Sequence, residues 1–238
     1  MPRNVPMSLA NPYAPMDNED QWLDLGKLAQ INPEFTAIEI KALYVVGLID
    51  DICQSVAWLL KAEDAWPEKY LPAFGVFASG VDLLGRCLTG NSTPELRGNL
   101  AVGFFYLARP TLEPPSERLP TVQAETTIVV KTNVLEYTVA ELVALRHYSS
   151  HGQATTRNRM PGLHIELLDS FPQLIGNAME AYWSGLKENE KFCNRLGTAM
   201  ISAYSNRAEP LRHTLEYFSK PGNTIGGLFS RLDWQVYK

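Results

Sequence analysis

Within residues 141–152, ELVALRHYSSHG, Arg146 is followed directly by His147 and, five positions on, by His151. A guanidinium is a permanent cation that can hold a phosphate, and an imidazole changes its charge near neutral pH. Together they suit chemistry on a phosphodiester. Cleavage of RNA by its own 2′-hydroxyl requires a proton to be removed, charge on the phosphoryl oxygens to be stabilised and the leaving 5′-oxygen to be protonated. A histidine and an arginine can share these tasks without a metal. In that scheme His151 transfers the proton, Arg146 clamps the phosphate, and His147 is a second proton-transfer or substrate-orienting group. Arg157 and Arg159, in the loop that follows, would hold flanking phosphates. Residues 142–165 carry three Arg and three His and no Asp or Glu.

The spacing sets a geometric condition. At about 100° and 1.5 Å per residue, Arg146 and His151 stand about 140° apart around an ideal helix and roughly 7.5 Å apart along it. They do not share a face. Convergence needs the helix to end before His151, a long reach by Arg146, or a symmetric partner that brings two copies of the motif together. The third option makes a homodimer part of the mechanism.

Arg146, a polar His147, three more residues and His151, on a helix of a largely helical chain, resemble the Arg-(four to six residues)-His motif of the HEPN superfamily, the higher-eukaryote and prokaryote nucleotide-binding domains. Gly152 trails the motif. The resemblance covers residues 34–208 in general character and rests, residue by residue, on these positions. It implies a helical bundle, often dimeric, whose paired motifs form a composite site. Many members are metal-independent endoribonucleases of toxin, defence or RNA-processing systems, and others bind RNA without cleaving it. Carried over, Arg146 and His151 are the catalytic pair and His147 the polar adjunct. A hairpin near 126–137, a long C-terminal portion and an acidic net charge depart from a minimal domain of this kind.

Other roles are open to the same residues. Arg146 could cap helix-end carbonyls or pair with a core carboxylate, and His151 could stabilise the negative end of the helix dipole. The chain would then be a non-catalytic helical interaction protein. His147 and His151, four apart, could also bind one metal ion, but no glutamate lies between them and no third ligand is close in sequence. Ser149 and Ser150 lack the strand-turn-helix elbow of a serine nucleophile. His164 and His213 have no neighbours in sequence that complete a constellation. No metal and no cofactor is expected.

The elements that must position the motif follow from hydrophobic periodicity. The pattern predicts a mainly α protein, a helical bundle with a small β-hairpin around 126–137. Apolar residues at three- and four-residue steps predict an amphipathic helix over 34–62, opened by Asn32-Pro33. A second helix follows Pro72 and stops at Gly90-Asn91. Its small residues Ala73, Gly75, Ala78, Ser79, Gly80 and Gly85 predict close helix packing, and Asp82 and Arg86 are spaced to pair. A third helix covers 95–108 and is closed by Pro110. TTIVVKTNVLEYT has the β-branched density of strands, with Lys131-Thr132-Asn133 as its turn. Thr138-Val139-Ala140-Glu141 fits a capping box, so a fourth helix starts there and ends near Gly152 with the motif at its end. Further helices are expected over 164–208, bent at Pro172 and divided near 185–190, and over 210–219.

Composition bounds the rest. With 238 residues and 45% hydrophobic content the chain can bury one large core. The domain is expected over 34–222, after a proline-rich, poorly ordered segment 1–33 and before a tail, 223–238, that covers its own core or a second chain. Net charge is −5, which argues against a broad nucleic-acid footprint, so RNA binding would have to be local. Residues 1–140 carry 10 basic and 17 acidic side chains, net −7, and residues 141–238 carry 11 and 9, net +2. The positive end begins at the motif. Cys53, Cys87 and Cys193 read as reduced core residues. No apolar run approaches the roughly 20 residues that cross a bilayer, so no membrane partner and a cytoplasmic location are expected.

Overall fold

The computed structural model describes residues 35–61, 70–89, 96–110, 125–129, 136–151, 165–188 and 209–230. The first helix, α1 (Ala37–Lys61), opens on a reciprocal cap. Thr36 Oγ1 accepts from the Glu39 amide at 3.2 Å, and Glu39 Oε2 accepts from the Thr36 amide at 2.8 Å. This Thr-x-x-Glu box sets the start at Ala37, three residues after the expected one.

Residues 42–50 are buried on every side, because ALYVVGLI offers no polar position and Asp50 is drawn in with them. Only the second half of α1 is amphipathic. The segment Ala42–Lys61 is long and apolar enough, by length and composition, to cross a membrane. That corrects the expectation that no stretch approaches this length; Asp50 and Asp51 divide the run without removing its average character. Some 67% of the segment is buried in the bundle, as in a core helix.

Around α1 stand α2 (Tyr70–Thr89), α5 (Ile165–Glu188) and α6 (Glu209–Phe218). Thr214 donates to the Leu43 carbonyl at 3.0 Å and ties α6 to α1. α3 (Leu96–Ala108) lies antiparallel on α2, and glycines allow near-contact of the two backbones. A Cβ on Gly85 would overlap the Asn99 carbonyl oxygen, and one on Gly103 would overlap that of Val81. The expected small-residue packing is present, and it is divided among three neighbours. Gly85 faces α3, Gly80 faces Ile52 of α1, and Gly75 faces Ser149 of the motif helix. Phe74, Phe77, Phe104 and Phe171 fill the centre, with the Phe77 and Phe171 rings stacked at 3.9 Å.

The hairpin is a two-stranded antiparallel sheet, β1 (Thr127–Val129) on β2 (Glu136–Thr138), with Ile128 opposite Tyr137 and both buried. Its turn lies outside the described residues. β2 runs directly into α4 (Val139–His151). α5 continues through Pro172, which removes one backbone donor; Phe171 and Ile175 on either side are buried and hold the helix in place. The segment 189–208, the N-terminal 1–33 and residues 231–238 lie outside the described residues. From the tail, α7 (Ile225–Ser230) seats Ile225, Leu228 and Phe229 against α5, so this part covers the chain's own core.

Candidate functional site

The motif helix is fixed at its start by chemistry that the sequence announces. Thr138 Oγ1 accepts from the Glu141 amide at 3.2 Å, and Glu141 Oε2 accepts from the Thr138 amide at 2.7 Å. Val139, Leu142 and Leu145 are buried and fix the rotation of α4 about its axis. Arg146 and Ser149 then fall on the side that meets α2. Ser149 donates to the Arg146 carbonyl at 2.8 Å and packs at Gly75, where a Cβ would stand 3.3 Å from its Oγ.

This contact sets the register of the two helices. From Gly75 to Asp82 the rise along α2 is roughly 10 Å, and from Ser149 back to Arg146 it is roughly 4.5 Å along α4. A long helical side chain at 146 that leans toward its helix N-terminus, the usual direction, would take up the difference. Its charge acts on the Asp82 carboxylate. The partner at contact distance is Arg86, whose Nη2 lies 2.9 Å from Asp82 Oδ2, the i,i+4 pairing expected from the sequence.

Asp82 is buried, flanked by Val81, Leu83 and Leu84. Burial is the largest influence on its carboxyl and raises the pKa from the ordinary value. The charge and hydrogen bond of Arg86, and then the charge of Arg146, pull it back down. Among the described residues Asp82 Oδ1 and Arg146 Nε are both buried without a hydrogen-bond partner. An unmet buried donor or acceptor costs about 1–3 kcal/mol. At the seam between α2 and α4 the Asp82 carboxylate is thus paired with Arg86 and also feels the charge of Arg146.

His147, next along α4, is half-buried. His151 is the last residue of α4, and its side chain lies outside the described residues. Because the helix continues through His151, the break that would have let it turn back toward Arg146 within one chain does not occur before it. Arg157, Arg159 and His164 lie outside the described residues. Among the described residues no group of three or more His, Cys, Asp or Glu is placed to share a metal ion.

Two features escaped the sequence reading. Asp82 and Arg86 read as a local pair, yet Asp82 also feels the charge of Arg146 on the motif helix; the available signal is an isolated carboxylate inside the apolar run Val81–Leu84. His213 read as isolated, yet its Nδ1 lies 3.7 Å from Oδ2 of the fully buried Asp50. Nothing local could have joined residues of α1 and α6. Cys53, one turn from Asp50, is buried as a free thiol, and burial first, then the Asp50 charge, push its pKa well up. It is a core residue, as expected; the Cys87 side chain and Cys193 lie outside the described residues.

No protein-family model, no curated protein and no solved structure matches the chain.

Proposed function

We propose that the chain is a HEPN-like RNA-binding protein that acts as a metal-independent endoribonuclease, working in the cytoplasm as a homodimer. The observation that carries this reading is the course of α4. It turns Arg146 toward α2 and runs on through His151, about 140° further round the helix. One chain therefore carries positions 146 and 151 at different angles around α4, and a two-fold axis close to α4 would bring the Arg146 of one protomer to the His151 of the other. Arg146 clamps the scissile phosphate, His151 moves the proton, and His147 orients the substrate or moves a second proton. Arg157 and Arg159 hold the flanking backbone.

The test is incubation of mixed RNA with wild-type, Arg146→Ala and His151→Ala proteins in EDTA. Wild type should leave 2′,3′-cyclic phosphate ends and both variants should not. Equal cleavage by all three would remove the assignment.

The burial of Asp82 favours one alternative. In a non-catalytic helical interaction protein Arg146 would serve only to balance the charge of Asp82. That reading gives no cleavage by any of the three proteins, and a loss of stability in Arg146→Ala.

A further inference from the structure

The seam between α1 and α6 holds an ionisable pair that the proposed site does not use. Asp50 stands midway along α1 with its side chain fully buried, and His213 of α6 brings Nδ1 to 3.7 Å from its Oδ2. The His213 side chain is itself 46% exposed. Its neighbour sets the register of the seam: Thr214 is buried and donates to the Leu43 carbonyl at 3.0 Å, and Leu211, one turn earlier, is buried too. Among the described residues α6 packs mainly on α1, and at its end Phe218 stacks on Trp183 of α5. The carboxylate is fixed in the most buried stretch of α1, whereas the imidazole is open to solvent protons. One partner thus has a fixed place and the other a charge that follows pH.

The other ionisable groups beside the pair on these two helices are Asp51 and Cys53 of α1 and Arg212 and Glu216 of α6. Asp51, Arg212 and Glu216 are exposed, so water and salt screen them. Cys53 is a buried thiol whose pKa is pushed well up by burial and then by the Asp50 charge, so it stays neutral. Asp50 has a further interaction of its own, so the pair tunes the seam and does not by itself settle the charge of the carboxylate.

We propose that His213 and Asp50 form an acid-tightened latch that seats α6 on α1. A proton on His213 puts a cation beside the carboxylate and favours the seated helix over a displaced one, in which water would surround the imidazole. The contact is worth more with the proton on than off. A fall in pH therefore tightens α6, and a rise loosens it. The latch uses neither Arg146 nor His151, so it stands or falls apart from RNA cleavage.

Amide hydrogen exchange over residues 211–218, followed by mass spectrometry at about pH 5.5 and pH 8 and corrected for the intrinsic pH dependence of exchange, tests it. Relative to the amides of α3, protection of α6 should be about threefold greater at the acid end, the scale of an ion pair with one half-exposed partner. His213→Gln should hold α6 at the looser level at both pH values. His213→Arg, a permanent cation, should hold it at the tighter level. Both should abolish the pH dependence, and because His213 is half-exposed both should fold. Asp50→Asn should abolish it as well, and the two His213 variants carry the test if that protein does not fold. Equal relative protection at the two pH values in the wild type, or a pH dependence that survives in both His213 variants, overturns the latch.

Discussion

Arg146 on α4 acts by its charge on Asp82 of α2, while the carboxylate takes its contact-distance ion pair, at 2.9 Å, from Arg86. The motif arginine is thus held near a buried acid without being consumed by it. A guanidinium engaged at both edges by a carboxylate would be a strut; one standing beside an acid already paired can serve a ligand. The remaining consequences concern how α2 and α4 are kept in that relation.

Asp82 makes stability depend on pH with a definite sign. Its folded-state pKa lies above the unfolded value, so between the two the folded chain binds the proton more tightly. The contribution is fully present below the unfolded value and is lost as pH rises through the folded one. Asp82→Asn should remove this slope from urea-unfolding free energies measured across the acidic range. A slope unchanged in the variant would show that Asp82 is not its source.

The α2–α3 seam should tolerate no side chain at two glycines. Gly85→Ala and Gly103→Ala each drive a methyl into a backbone carbonyl oxygen, and a backbone cannot rotate aside. Each should cost about 1–3 kcal/mol or more, the range of overpacked cores. Gly98→Ala, on the same α3, meets nothing within 4 Å and should stabilise by about 0.5 kcal/mol through helix propensity. Urea melts of the three variants check this contrast.

Removing the Thr138 hydroxyl should loosen the motif helix at its start. Thr138→Ala abolishes an acceptor for the Glu141 amide, so about 1 kcal/mol should be lost. Amide hydrogen exchange should rise in the first turn of α4, before any change at α1. Equal protection in the variant would mean that packing of Val139 and Leu142 alone fixes the helix.

The elements were readable in the sequence wherever the determining physics is local. The Thr138 capping box, the β-branched strands and the end of α4 at His151 all depend on residues within one or two turns. The start of α1 falls at Ala37 and not at 34: Asn32-Pro33 and Thr36-x-x-Glu39 both signal an N-terminus in the sequence, and the Thr36–Glu39 box is hydrogen-bonded. The complete burial of residues 42–50 was hidden for another reason: periodicity reports one apolar face, and a helix covered from three sides has none. At the candidate site, Arg146 was visible by type and spacing. Its neighbour Asp82 was not, because the Gly75–Ser149 contact that sets their register joins residues far apart in the chain. The Asp50–His213 pair was missed on the same ground.

The central claim is that Arg146 of one protomer works with His151 of the other, and mixing inactive variants tests it most directly. Arg146→Ala and His151→Ala proteins, each without cleavage activity in EDTA, are combined in equal amounts and allowed to exchange subunits. A shared site predicts recovery: half of the dimers are mixed, each with one intact site of two, so about a quarter of wild-type RNA cleavage should return. No recovery from a mixture shown to contain mixed dimers would contradict the claim, because a site built from one chain stays broken in every combination.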